Sequence, residues 1–309
     1  MAIVIIRQDG KIDTWKRALM KNAPTLKIYS YLEDHPREQI TMAIVWKHPE
    51  GSLQGYPNLA CIASFGAGVD FLFEDPALPR NIPVTRVVDP VLASDMSEFV
   101  LARILGYLKH FNQYARDQAN TIWNPMEYRR IADVEVGIMG VGALGKVLGE
   151  DLVKLGFRVR GWSASPRKVR SIQMFSGQHG LPAFLKQSDI LVCLLPLTPA
   201  TRGILNRSLF QMLPRGAFVI NVARGGHLVD NDLLAVLQEG HLSGAALDVF
   251  HEEPLSEEHP FWTHPAICIS PHIASVSHID SVVPQLLENY NRLQKGQPLQ
   301  NVVSGAKGY

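Results

Sequence analysis

The chain has 309 residues, 46% hydrophobic and 19% charged, and its 30 Lys and Arg against 29 Asp and Glu leave a formal charge of +1. At about 150 residues per domain this length predicts two domains, each able to bury its own core. The composition excludes a disordered chain, a disulfide-stapled secreted domain and a collagen-like fibre, and the near-neutral charge argues against a nucleic-acid partner.

No apolar run approaches the ~18 residues of a membrane span, and the apolar start before Arg7 is too short for a secretory leader. Cys61, Cys193 and Cys268 are scattered through apolar runs, so buried reduced thiols in a cytoplasmic protein are expected rather than a disulfide framework or a metal site.

In chain order, short apolar runs alternate with helix-length amphipathic segments, the pattern of parallel sheets joined by crossover helices. Strands are predicted at 3–6, 26–30, 42–46 and 60–64, with a helix at 14–20. Pro76, Pro79, Pro83 and Pro90 then break the pattern. One long helix is predicted over 94–117, with Phe99, Val100, Ile104, Leu105, Leu108 and Phe111 on its apolar face. Further strands are predicted at 134–139, 157–162, 190–194, 217–221, 244–247 and 266–270, each short and continuously apolar, as strands buried on both faces are. A last helix is predicted over 285–294, after Pro284; spacing does not decide which domain Val282, Leu286, Leu287 and Tyr290 pack against.

The segment 136–148 carries G-x-G-x-x-G between a strand and a helix, at Gly140, Gly142 and Gly145. In that context the first glycine permits the tight turn, the second lets backbone approach a pyrophosphate and the third lets helix and strand pack closely. The helix start then offers unpaired N–H groups to the anion. About twenty residues on, where NAD-selective sites place an acid for the ribose, the chain reads S-A-S-P-R-K (163–168). Hydroxyls of Ser163 and Ser165 with the cations Arg167 and Lys168 suit a 2′-phosphate, so NADP(H) is expected over NAD(H). Lys168 reads equally well as a solvated helix start.

Reducing a ketone requires a cation to hold and polarise the substrate, an acid to protonate the developing alkoxide and a group to tune that acid. Arg224 in N-V-A-R-G-G and His272 in S-P-H-I-A each follow a predicted strand, where open α/β sheets bind ligands. A carboxylate beside His272 would favour its protonated form; Glu252 and Glu253 both compete for that place. Asp248 either faces the nicotinamide or caps a turn. In the first half, Ser64-Phe-Gly66-Ala67-Gly68 follows a strand and offers backbone N–H groups to an anion.

Taken together, G-V-G-A-L-G (140–145), L-P-L-T-P-A-T-R (195–202), N-V-A-R-G (221–225), D-V-F-H-E-E-P (248–254) and S-P-H-I-A (270–274) resemble, in order, the motifs of the D-isomer-specific 2-hydroxyacid dehydrogenases. The serine-and-cation loop, Val45-Trp46 and the terminal A-K-G-Y (306–309) resemble its glyoxylate- and hydroxypyruvate-reducing branch. The resemblance implies two doubly wound α/β domains of Rossmann type, the cofactor domain (97–283) inserted into a flavodoxin-like substrate domain (1–96 with 284–309). It implies Arg224 as substrate cation, His272 as proton donor and Glu253 as its partner; Gly66, Ala67 and Gly68 on the substrate carboxylate; and Trp46 lining the pocket. Cofactor contacts are implied at Ala143, Leu144, Pro196, Thr201, Val222 and Asp248, and the assembly expected is a homodimer. Many members carry Arg-Ile where this chain has Ala143-Leu144, which predicts weaker cofactor binding without a change of cofactor. The expected reaction is NADPH-dependent reduction of a small 2-keto acid to its 2-hydroxy acid, glyoxylate to glycolate or hydroxypyruvate to D-glycerate. The alternatives are an NAD-dependent D-2-hydroxyacid or phosphoglycerate-type dehydrogenase, and a non-enzymatic NADP(H) sensor or co-repressor.

Overall fold

A computed structural model describes residues 1–304; the terminal motif at 306–309 lies outside the described residues. The elements run β1 (Ala2–Arg7), α1 (Ile12–Asn22), β2 (Ile28–Ser30), β3 (Ile40–Trp46), β4 (Cys61–Ser64), α2 (Asp70–Phe73), β5 (Val84–Thr85), α3 (Pro90–Leu108) and α4 (Phe111–Ala119). They continue with β6 (Glu135–Met139), α5 (Ala143–Lys154), β7 (Arg158–Ser163), β8 (Gln173–Ser176), α6 (Gly177–Leu185), β9 (Ile190–Cys193) and α7 (Arg207–Met212). The last are β10 (Ala217–Asn221), α8 (Asp230–Gln238), β11 (Leu242–Leu247), β12 (Ile267–Ile269) and α9 (Ile279–Gln294).

The chain divides into two compact units, one of Met1–Leu92 with the segment from Ser277 onward, the other of Ala93–Val276. The expected boundaries at 96 and 284 both fall inside helices, α3 and α9; the division lies in the first turn of α3 and just ahead of α9.

The first unit holds a five-stranded sheet in the order β2-β1-β3-β4-β5, parallel throughout, the flavodoxin-like order whose switch point lies between β1 and β3. Successive residues point to opposite faces. Ile3, Ile5, Met42 and Ile44 therefore join one core cluster while Val4, Ile6, Ala43 and Val45 join another. Both faces are dry, so the strands read as unbroken apolar runs. Helix α9 supplies Val282, Val283, Leu286 and Tyr290 to the cluster that holds Trp15 and Leu19 of α1.

The second unit holds seven parallel strands in the order β12-β11-β10-β9-β6-β7-β8. Its switch point lies between β6 and β9. Leu191, Cys193 and Val219 face one cluster, and Ile190, Val192 and Ile220 the other.

Burial pushes the Cys61 thiol up to about 11 and the Cys193 thiol up to about 12. Neither is poised to form a thiolate. Among the described residues no helix is long and apolar enough to cross a membrane.

Three expectations from the sequence are corrected. The single helix at 94–117 is two, because His110 adopts a left-handed φ of 58° between α3 and α4. The helix also opens earlier, at Pro90, a first-turn position where a missing N–H has no intrahelical partner to lose. At the other end, α9 starts at Ile279 and runs through Pro284 rather than after it. Strand β8 escaped the sequence reading because Gln173–Ser176 is an edge strand with no fully buried residue.

Candidate active site

In the second unit, Arg224, Glu253 and His272 follow three neighbouring strands, β10, β11 and β12, at their carboxyl ends. His272 Nδ1 and Glu253 Oε2 are 2.7 Å apart, with both side chains half-buried. Glu253 also accepts from the Phe250 N–H at 3.2 Å through Oε1. Of the two carboxylates left open by the sequence, Glu253 is the one that meets the imidazole.

The turn carrying His272 is built by Asp248. Its buried carboxylate accepts from Ser270 Oγ at 2.6 Å and from the N–H groups of Ile273 and Ala274 at 3.1 and 2.9 Å. Its carbonyl takes the His272 N–H at 2.8 Å. Those bonds hold His272 at a left-handed φ of 53°, a conformation that costs a non-glycine residue energy and persists only where its surroundings fix it. The Asp248 side chain thus caps this turn.

Asn221, fully buried at the end of β10, shapes the turn that carries Arg224. Its amide donates to the Arg224 carbonyl at 3.0 Å and its oxygen accepts from the Ala223 N–H at 3.2 Å. The half-buried Arg224 guanidinium donates from Nη1 to the Ala223 carbonyl at 2.7 Å, which orients its fork.

The glycine segment lies where a dinucleotide cradle requires it. Gly140 sits at φ 100° beside the β6–β9 switch point. A Cβ on Gly145 would lie 2.3 Å from the Gly140 carbonyl oxygen, whereas a Cβ on Gly142 would meet nothing within 4 Å. The first is the close helix–strand approach and the second the open backbone that a pyrophosphate needs; Ala143 and Leu144 form the first turn of α5 beside it. A cavity of about 690 Å³ joins Gly142 and Ala143 to Arg167 and Lys168. Lys146, Glu150 and Arg170 also line it. The sequence reading missed these three, although Lys146 directly follows the third glycine.

Ser163 is nearly buried and donates its hydroxyl to the Ser165 carbonyl at 2.7 Å, so it shapes the loop that presents the cations. Thr201 ties its own loop by donating to the Pro196 carbonyl at 2.7 Å. Val222 is a core residue.

In the first unit, Trp46 ends β3 at the switch point and its ring covers Gly66, where a Cβ would lie 2.6 Å from the indole. The Gly66 N–H is bonded to Ser64 Oγ at 3.1 Å, and that hydroxyl donates to the Gly68 carbonyl at 3.1 Å. Gly66 thus has its amide engaged within the loop, and the anion-binding expectation passes to the half-exposed Ala67 and Gly68. Phe71 meets Trp46 edge-on at 5.5 Å and His48 at 5.8 Å. His48 Nε2 in turn bonds Asp75 at 2.9 Å. Burial raises the Asp75 carboxyl, but the Ala77 N–H, His48 and the Gly51 N–H together outweigh it and hold the group below its ordinary range. Among the described residues no three His, Cys, Asp or Glu side chains group to hold a metal ion.

Residues 101–274 match the family model described as D-isomer specific 2-hydroxyacid dehydrogenase, NAD binding domain. Over the full length of both chains, the sequence is 36% identical to a glyoxylate/hydroxypyruvate reductase A of Yersinia enterocolitica. It is 37% identical to one of Photorhabdus laumondii, over 96% of each chain. Among solved structures, a D-isomer specific 2-hydroxyacid dehydrogenase from Xanthobacter autotrophicus Py2, in complex with NADPH and MES, is similar with a TM-score of 0.94 and 37% identity, over 100% of this chain and 99% of that one. An NADPH-dependent glyoxylate/hydroxypyruvate reductase from Sinorhizobium meliloti, in complex with NADP and sulfate, gives a TM-score of 0.92 and 36% identity over 100% and 99%.

Proposed function

The chain belongs to the D-isomer specific 2-hydroxyacid dehydrogenases, and we propose that it is an NADPH-dependent reductase of small 2-keto acids, turning glyoxylate into glycolate and hydroxypyruvate into D-glycerate. The observation that carries this reading is the 2.7 Å contact between His272 Nδ1 and Glu253 Oε2 at a strand end of a dinucleotide-type unit. With Nδ1 engaged by the carboxylate, Nε2 is the nitrogen left to deliver a proton to the substrate oxygen. Within the second unit Arg224 holds and polarises the substrate; within the first, the Ala67 and Gly68 amides beside Trp46 suit a carboxylate. The residues of the cofactor unit fit NADP(H): Gly142, Ala143 and Leu144 take the pyrophosphate, and Arg167 and Lys168, on the loop that Ser163 and Ser165 shape, take the 2′-phosphate. Bound NADPH supplies the hydride.

In this reading the second unit, 93–276, serves as the cofactor domain, and the first, 1–92 with the segment from 277 onward, as the substrate domain. Reduced, deeply buried thiols support the cytoplasm as its location.

Absorbance at 340 nm, followed with NADPH and then NADH against glyoxylate, hydroxypyruvate and pyruvate, tests the assignment. Faster turnover with NADPH and the first two acids is expected. Faster turnover with NADH overturns the cofactor assignment and leaves the chemistry standing. No turnover despite tight NADPH binding overturns the enzyme reading in favour of a sensor.

The homodimer rests on a separate observation: Phe111, Ile122, Trp123 and Tyr128 are exposed apolar side chains near one another in the sequence of the second unit, and Trp123 is 96% exposed. Large apolar side chains this exposed suit burial against a second copy of the chain. Light scattering should give twice the chain mass, and a solution mass of 34.3 kDa would rule the dimer out.

A further inference from the structure

The cavity beside the first turn of α5 gathers four cations, Lys146, Arg167, Lys168 and Arg170, and one carboxylate, Glu150. Arg167, Lys168 and Arg170 come from the loop after β7, whereas Lys146 and Glu150 rise from one face of α5, a single turn apart. Their charged atoms are 3.8 Å apart, with the side chains 59% and 41% exposed. That separation is too long for a hydrogen bond, and a pair so exposed is held weakly by solvent-screened attraction. Lys146 therefore stands at the cavity wall with its charge available to a second anion, and Glu150 is the acid that would face the same anion.

We propose that Lys146 is a specificity-determining residue for the 2′-phosphate of the cofactor and that Glu150 opposes it, so that this pair sets how strongly NADPH is preferred over NADH. The inference rests on the NADP(H) reading above. A phosphate monoester carries close to two negative charges at neutral pH. The arginines of the β7 loop present planar forks, which demand alignment; a lysine acts as a compact point charge and needs only proximity. Lys146 supplies that charge from the rigid helix rather than from the loop. Glu150 subtracts from it in two ways, by attracting the Lys146 ammonium and by repelling the phosphate. Both effects fall most strongly on the cofactor that carries the extra phosphate, whose added charge the other lacks.

Titration calorimetry of the full chain with adenosine 2′,5′-bisphosphate and with adenosine 5′-monophosphate separates the possibilities. Lys146→Met should weaken the bisphosphate about tenfold, the loss of one charge-assisted contact, and the monophosphate far less. Glu150→Gln should tighten the bisphosphate about two- to fivefold, the range of a screened surface charge, again with less effect on the monophosphate. Both positions are solvent-facing and both replacements are good helix formers, so folding is retained. If the wild type prefers the bisphosphate and Lys146→Met binds it equally well, or loses both ligands in parallel, the inference falls while the NADP(H) reading survives. Weaker bisphosphate binding by Glu150→Gln also sinks it. If the wild type shows no preference for the bisphosphate, the NADP(H) reading falls and takes the inference with it.

Discussion

Replacing His272 by alanine should lower kcat for keto-acid reduction by about 10²–10⁴-fold, the usual worth of a positioned proton donor, while leaving NADPH affinity intact. The geometry explains why the loss falls on kcat. Glu253 grips Nδ1 at 2.7 Å, and the Asp248 carbonyl and carboxylate fix the backbone of the turn, so the ring is held in one orientation before substrate arrives. Alanine removes the donor and leaves Asp248 to maintain the turn. Glu253→Gln should cost less, about tenfold, because the amide oxygen still orients the ring and only the carboxylate charge beside it is lost. Single-turnover kinetics with saturating NADPH measure both. A near-normal rate in His272→Ala would remove His272 from the mechanism.

Arg224 carries the second large effect. Changing it to lysine should reduce kcat/KM for the keto acid by about 10²–10³-fold, comparable to losing one preorganised donor to a developing oxyanion. The guanidinium is already oriented through its bond to the Ala223 carbonyl, in a turn shaped by the buried Asn221. An ammonium keeps the charge but has neither the fork nor that anchor. Binding of NADPH, measured separately by fluorescence, should be unchanged. If the lysine variant retains wild-type kcat/KM, Arg224 serves only as a local charge and the substrate is held by another group.

Much of this was legible in the sequence for one physical reason: strands covered on both faces have no polar alternate positions, so segments such as Ile190–Cys193 announce themselves as unbroken apolar runs. Where one constraint was missing, so was the signal. Gln173–Ser176 lies at a sheet edge and reads as loop. His110 breaks a helix through a single backbone torsion that leaves no trace in the apolar periodicity. The site shows the same division. Gly140, Gly142 and Gly145 were readable because their requirements are local, whereas the meeting of His272 with Glu253, nineteen residues apart, exists only because β11 and β12 lie side by side. The engagement of the Gly66 amide by Ser64 was equally invisible, since a glycine-rich turn looks the same whichever way its N–H groups face.

The two fully buried thiols lie one in each unit, Cys61 in β4 and Cys193 in β9. Neither ionises readily in place, so a thiol reagent reaches either only when its own sheet transiently opens. Cys268, only half-buried, reacts ahead of both and can be counted out first. Labelling under native conditions thus turns the chain into a pair of clocks that need no added probe, one for the opening of each sheet. A substrate analogue or NADPH that slows one clock and not the other identifies the unit it grips.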